Sequence, residues 1–396
     1  MKLLQINVTA NWGSTGKIAE DIGRLAITQG WESWIAYGRG NPTSQSHLIR
    51  IGSDMDMRLH GIQSRLLDNH GLASRNATRK LISHIRDIGP DIIHLHNIHG
   101  YFLNYPLLFQ HLKQWGGPVV WTLHDCWPFT GHCAYYDYSR CDRWKTQCHN
   151  CPQLRSYPAS ICRDRSRQNH TDKKTAFTNC PNLTFVPVSD WLRHELSQSF
   201  LGTYPAVTIH NGIDTSTFRP IQQDTINTDK KVILGVASVW DKRKGLDEFI
   251  KLRKLLPPQY TIILIGLSQD QISTLPDGIT GIRRTESVDQ LVALYNMADV
   301  FVNPTLEDNF PTTNLEALAC GTPVITYDTG GSPEAIDKKT GYKIDYQDID
   351  MMARKIKEAC TQPIFSPADC RQRALDLYDK NKAFSEYIDL YKTLTK

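Results

Sequence analysis

The sequence predicts an α/β protein built from two doubly wound parallel sheets, and three observations carry that reading. Short apolar runs bounded by Gly, Asn or Asp alternate with segments of helical periodicity along the whole chain. The alternation stops in a polar stretch after Asn211 and restarts at Lys231. The 396 residues, 40% apolar and 22% charged, exceed what one hydrophobic core usually organises, which points to two domains of roughly 200 residues each.

In the first half, residues 2–8, 91–96, 119–124, 183–188 and 206–210 read as strands of one sheet. In the second, 231–237, 260–266 and 298–303 are strands, with helices from about Gly245, Ser287 and Thr313. Residues 211–230, rich in turn formers at their start and polar later, are the predicted linker. The expected division is 1–219 and 220–380. No apolar run approaches the roughly 20 residues of a membrane span, and the apolar core of residues 1–8 is too short for a signal peptide. The expected location is therefore cytoplasmic. Ten cysteines in such a chain read as reduced thiols or metal ligands rather than disulfides.

The most informative segment is 305–327, TLEDNFPTTNLEALACGTPVITY. It reads as an acidic loop with Glu307, Asp308 and Asn309, a short helix opened by a Thr313-x-x-Glu316 capping box and closed near Gly321, and a strand. Helices at this point of a parallel sheet turn their N-termini to the carboxyl edge, where phosphorylated ligands bind. The plain alternative is that Glu316 only closes the capping box and Asp308 is a solvated charge. A glycosidase pair fits poorly. On one helix, residues eight apart lie roughly 12 Å apart by rise, against about 5 Å for a retaining pair.

The segment resembles the E-x7-E region of the retaining glycosyltransferases of family 4, which have the GT-B fold, and in particular bacterial capsule and exopolysaccharide enzymes. The resemblance implies two Rossmann-like domains facing a central cleft, the first on the acceptor side and the second binding a nucleotide sugar. It places Asp308 at the first acidic position, toward the donor sugar, and Glu316 at the second, toward the ribose. The family usually has Glu at the first position, so Glu307 and Asp308 both remain candidates there. Asn309, Phe310, Pro311, Thr312 and Thr313 fill the loop and helix start whose backbone N–H groups meet the sugar. ALACGTPVI downstream and NGID-x3-F at 211–218 also match. Residues 381–396 are expected, on resemblance alone, to return as a helix to the first domain.

Other segments add to this. The loop 9–17, TANWGSTGK, carries Gly13 and Gly16 between a strand and a helix, where backbone amides can approach a phosphate or sugar. It is neither a Walker A loop nor a dinucleotide fingerprint, since Asn11 and Ile18 occupy decisive positions. In the family such a loop lines the acceptor side. Residues 236–245, VASVWDKRKG, place three cations before a helix, where they can stabilise a diphosphate leaving group as it gains charge. Lys244 aligns with the family lysine; Val239 stands where the family has arginine, leaving Arg243 as its substitute. In 119–131, VVWTLHDCWPFTG, His124 falls at the strand end where the family often has a histidine near the donor sugar. His94, His96 and His99 read as structural. Arg283, in GIRRT, is expected near the nucleotide base.

Cys133-x7-Cys141-x6-Cys148-x2-Cys151 stands apart, a four-thiol set with a terminal knuckle inside an insertion of about 126–175. It suits a structural zinc without excluding free thiols, and His132, His149 and Cys126 are alternative ligands. Similar insertions occur in some bacterial polysaccharide glycosyltransferases. Residues 140–174 hold nine Lys or Arg against three Asp in a chain whose net charge is only +4. That suits an anionic lipid-linked acceptor at the inner face of a membrane, or a solvated basic loop. A basic zinc-stapled segment also raises nucleic-acid binding, but no nucleic-acid module accompanies it, and none is expected as a partner.

The resulting expectation is a retaining, metal-independent glycosyltransferase. It moves a sugar from a nucleoside diphosphate donor to a saccharide, lipid-linked acceptor in surface polysaccharide synthesis. No cofactor is expected beyond that donor and the structural zinc. The alternatives are a nucleotide-sugar epimerase or hydrolase of similar fold, and a noncatalytic binder.

Overall fold

A computed structural model describes residues 1–222 and 230–396. Residues 223–229 of the expected linker lie outside the described residues. The chain divides into two compact units, Met1–His210 with Ala383–Lys396, and Asn211–Lys382.

The first unit holds strands β1 (Lys2–Thr9), β2 (Glu32–Arg39), β3 (His47–Arg50), β4 (Ile92–Leu95), β5 (Val119–Leu123) and β6 (Leu183–Pro187). The second holds β7 (Lys231–Val236), β8 (Tyr260–Ile265), β9 (Ile279–Ile282), β10 (Val300–Asn303), β11 (Val324–Tyr327) and β12 (Gly341–Ile344). The sheet orders are β3-β2-β1-β4-β5-β6 and β12-β11-β10-β7-β8-β9, every recorded pairing parallel. Both follow one plan: the chain starts mid-sheet, winds to one edge, then returns to wind to the other. The reversal leaves a crevice beyond the carboxyl ends of β1 and β4 in one unit, and of β7 and β10 in the other. Strands β4, β5, β6, β10 and β11 are buried at every residue, as parallel strands covered by helices on both faces must be.

Two expectations need correction. Residues 206–210 are not a strand; Ala206 makes only an isolated bridge with Phe185. The chain does run beside β6, with N–H groups of Val207 and Ile209 donating to Phe185 and Pro187 carbonyls at 3.1 and 3.2 Å. Pro187 has no N–H to return, so the ladder breaks there. Second, Gly281 and Ile282 of the supposed base-side loop belong to β9.

The C-terminal helix Lys380–Leu394 covers the first sheet from Ala383 onward. Phe384, Tyr387, Ile388 and Tyr391 join a core cluster with Leu3, Ile22, Val120 and Val186. The tyrosines also carry hydrogen bonds into the sheet, Tyr387 OH accepting from Thr122 Oγ1 at 3.0 Å and Tyr391 OH meeting His94 Nδ1 at 2.6 Å. His94 Nε2 meets Thr122 Oγ1 at 2.7 Å and His96 Nε2 meets Gln5 Oε1 at 3.0 Å. His94 in β4 and His96 just after it are thus held within the core. Truncating Phe384 to Ala should cost about 3 kcal/mol, the usual penalty for removing a buried aromatic ring, read as a lower midpoint in chemical denaturation of the full chain.

Candidate active site

A partly buried cluster of opposed charge, Lys244, Arg243 and Asp308, joins the loops that follow β7 and β10 in the second sheet. The loop leaving β7 ends in the turn Lys242–Lys244, capped by Asp241, whose Oδ1 accepts the Lys244 N–H at 3.1 Å. The loop leaving β10 carries Asp308. Lys244 Nζ bonds the Asp308 carboxylate directly, and Arg243 Nη1 lies 3.5 Å from the same oxygen. Side-chain exposures are 21% for Lys244, 13% for Arg243 and 13% for Asp308. Burial alone would raise the Asp308 pKa. The charges of Lys244 and Arg243, a hydrogen bond from Lys244 and one from the Asn309 N–H hold it below the usual carboxylate range.

Backbone contacts lock the two loops together. Arg243 C=O accepts from the Leu306 N–H at 2.7 Å, and its guanidinium donates to Glu307 C=O at 2.6 Å. Thr329 Oγ1 donates to Leu306 C=O at 2.9 Å, and Asn211 Nδ2 to Phe310 C=O at 3.0 Å. Two glycines make the close approach feasible. Gly245 has φ +78°, and a Cβ there would sit 2.2 Å from Pro304 O; Gly330 has φ +55°, and a Cβ would sit 2.0 Å from Asp308 O.

Of the two acidic loop residues, Glu307 is fully buried, and Asp308 meets both cations. Asn309, Phe310 and Pro311 are buried as well. The capping box does not form. The helix is Thr312–Ala319, with Pro311 at the N-cap and no side-chain cap bond, because proline takes the extended entry position and moves Thr313 inside the first turn. Thr312 and Thr313 therefore open a helix whose first turn has neither a side-chain cap nor an acidic residue. Glu316 is used elsewhere: its Oε2 accepts from Tyr295 OH at 2.8 Å. Burial, and then the Glu316 charge, keep that phenol protonated by raising its pKa well above 10. Asp308 lies in the loop and Glu316 in the helix, so the one-helix spacing does not arise. Tyr295 and Asn211 are site residues that the motif reading did not assign. Arg283 is exposed in the loop after β9. An open pocket of about 600 Å³, lined by Asp328, Gly330, Glu334 and Tyr342 among others, includes none of the residues predicted for the site.

In the first unit, Gly13 opens the helix Gly13–Thr28 directly after the β1 loop, and Gly16 lies buried in its first turn. Asn11 N–H donates to Gly16 C=O at 2.9 Å, closing the loop on itself. Trp12 is 61% exposed beside it. His124 follows β5; its Nε2 lies 3.2 Å from His96 Nδ1 and the rings stack at 13°. Burial lowers its pKa to about 4, so it is neutral near pH 7. Asp125 and His99, bonded at 2.7 Å, form a further buried pair, with Tyr157 OH 2.8 Å from the other His99 nitrogen.

Cys133, Cys141, Cys148 and Cys151 come together around one small pocket, and none of the ten cysteines forms a disulfide. The basic segment is less of a patch than its composition suggests. Lys173 is 2% exposed, its ammonium donating to Trp127 and Thr130 carbonyls at 2.6 and 2.9 Å. Arg165 pairs with Asp172 at 2.7 Å. No helix among the described residues is long and apolar enough to cross a membrane.

Comparison with known proteins agrees with this architecture. Residues 16–217 match the family described as Glycosyltransferase Family 4, and residues 230–362 match Glycosyl transferases group 1. The chain is 26% identical over 416 residues to a protein of Escherichia coli (strain K12) assigned to colanic acid biosynthesis as the glycosyl transferase WcaC, with 100% of both chains covered. It is 30% identical over 168 residues to D-inositol 3-phosphate glycosyltransferase of Mycolicibacterium smegmatis, covering 38% of each. Among solved structures, sucrose-phosphate synthase from Thermosynechococcus elongatus superposes with a TM-score of 0.74 at 18% identity, covering 99% of this chain and 98% of that one. Anabaena Alr3699/HepE in complex with UDP and glucose superposes at 0.68 and 14% identity, covering 99% and 100%. At such identities these structures show a shared fold, two doubly wound sheets of the GT-B type.

Two outcomes test the wiring. Gly245→Ala forces a left-handed backbone and a clash with Pro304 O, and should destabilise the fold by at least about 2 kcal/mol in denaturant titration. Asp308 has a depressed folded pKa, so its stabilisation is complete above about pH 4 and lost as pH falls through the lower folded value. In Asp308→Asn that part of the acid-side stability loss should vanish from a midpoint-versus-pH profile.

Proposed function

The chain belongs to glycosyltransferase family 4, and from that premise we propose that it transfers a sugar, with retention, from a nucleoside diphosphate donor to a saccharide acceptor in surface polysaccharide synthesis. The full-length similarity to the colanic acid biosynthesis protein supports the pathway class, and the UDP-bound neighbour supports the donor class. The carrying observation is the pair of cations, Lys244 and Arg243, held on Asp308 in the loop that leads into an uncapped helix start.

In this reading the diphosphate lies against Lys244, Arg243 and the first-turn N–H groups of Thr312 and Thr313. Arg243 performs the role that Val239 leaves unfilled. As the bond between the sugar C1 and the phosphate oxygen breaks, charge grows on that oxygen. Cations already held in place stabilise it more in the transition state than in the ground state. Asp308 keeps the cations in position and, with Glu307, Asn309, Phe310 and Pro311 forming the loop around it, receives hydroxyls of the sugar. Glu316, oriented by Tyr295, receives the ribose hydroxyls, and Arg283 meets the base side. The acceptor oxygen attacks C1 on the face the phosphate leaves, and its proton passes to the departing phosphate oxygen. We assign acceptor recognition to the Gly13 and Gly16 loop and to neutral His124. The basic groups and the helix start carry the leaving-group charge without a divalent ion. A lipid-linked acceptor at a membrane face is the acceptor class we assign.

Lys244→Ala should lower transfer at least about 100-fold, as removal of a transition-state charge partner does. The variant should also lose much of the thermal shift that UDP- or GDP-sugars give the parent. Transfer at the parent rate, or no shift of the parent with any sugar nucleotide, would refute the donor assignment. NMR of the product's anomeric proton reads retention directly.

A further inference from the structure

The cysteine pocket in the first unit contains a donor that the spacing of its thiols does not require. His132 is buried, its side chain 0% exposed, and its Nδ1 bonds Asp68 Oδ1 at 2.6 Å. Its Nε2 has no hydrogen-bond partner. That nitrogen belongs to a residue lining the same pocket as Cys133, Cys141, Cys148 and Cys151. Asp68 is itself fixed, accepting the Arg165 N–H at 2.7 Å through Oδ2 and the Asn169 amide at 2.6 Å through its carbonyl. A buried imidazole nitrogen without a partner is costly, and a carboxylate on the opposite ring nitrogen is how metal-bound histidines are oriented.

The sulfurs line the same small pocket. The Cys133 thiol hydrogen-bonds Cys151, and Cys148 Sγ accepts the Gly131 N–H at 3.2 Å. Cys133 is buried, whereas Cys141 is partly exposed. The pocket is small, with room for one guest the size of a water molecule or a metal ion. As folded, no three of these donor atoms lie within 4.8 Å of one another, so coordination turns the side chains inward.

We propose that this pocket is a structural Zn²⁺ site ligated by His132 Nε2 and the sulfurs of Cys133, Cys148 and Cys151, with Cys141 at its rim. Four protein ligands leave no open position, so the ion staples the insertion and takes no part in transfer. Its free energy of binding would hold together residues 126–165, which form only the short turns Trp127–Phe129, Asp137–Ser139 and Arg143–Lys145 before the helix Ser166–Phe177.

The test is metal analysis of the full-length protein purified without chelator. About one zinc per chain is expected in the parent, as a closed four-ligand site requires. Cys148→Ser and His132→Ala should lose it, Cys141→Ser should keep it, and Asp68→Asn should weaken it about 10- to 100-fold through loss of the orienting carboxylate. Zinc kept by His132→Ala but lost by Cys141→Ser would overturn the ligand set in favour of four thiolates. A parent with no zinc, and no uptake of zinc or cobalt after reduction, would overturn the site. Should the variants fail to fold, the cobalt-substituted parent decides: a tetrahedral spectrum of three sulfurs and one nitrogen supports the assignment, and a four-sulfur spectrum sinks it.

Discussion

A carboxylate withdrawn from water has to be matched by cations within reach, and the second unit is organised around that requirement at Asp308. The matching residues come from the turn after β7, separated from β10 by two strands in sequence order but adjacent to it in the sheet, because the winding reverses between β7 and β10. The reversal opens the crevice, and the opposite charges close the two loops over it. Breaking such a pair by removing one partner leaves an uncompensated charge, at a typical cost of about 3–5 kcal/mol. The geometry is therefore held at the same place where a polyanionic ligand would have to compete for the cations. A donor diphosphate entering the crevice would exchange part of the Asp308 attraction for its own, and the carboxylate would be released toward the sugar.

Much of this was legible in the sequence, and the failures have physical causes. The strands with continuous apolar runs, such as β5 and β10, were recognised because both their faces are covered. The edge strands β3, β9 and β12 were not, since four residues such as ITGI or GYKI carry too little apolar pattern to stand out from a loop, and the interior strand β2 was missed as well, its ESWIAYGR mixing polar residues and glycine into the apolar run. Residues 206–210 have the composition of a strand and lie where a strand would, but pairing depends on the neighbour's donors, and Pro187 has none to give. The charged motif was legible as a set of residue types; that Asp308 rather than Glu307 meets Lys244 and Arg243 was not, because it depends on which way two consecutive side chains turn.

The Thr313-x-x-Glu316 pattern shows how a local signal yields to its context. Both residues are suited to a capping box, yet Pro311 starts the helix earlier, and Glu316 is left to bond a tyrosine from the preceding helix. Tyr295 could not be found from the motif, being outside it. His132 is similar: the sequence offers it as an alternative ligand, and only the position of Asp68, distant in sequence, shows which of its nitrogens is already taken and which is left without a partner.

The membership of residues 383–396 in the first unit has a consequence for how the chain is made. Leu3, Ile22, Val120 and Val186 emerge from the ribosome long before Phe384, Tyr387 and Tyr391, which complete their packing. During synthesis of the whole second unit, that apolar surface lacks its native cover. A nascent chain in this state is open to capture by chaperones or by its neighbours, and the fourteenth residue from the end, Ala383, marks where protection begins.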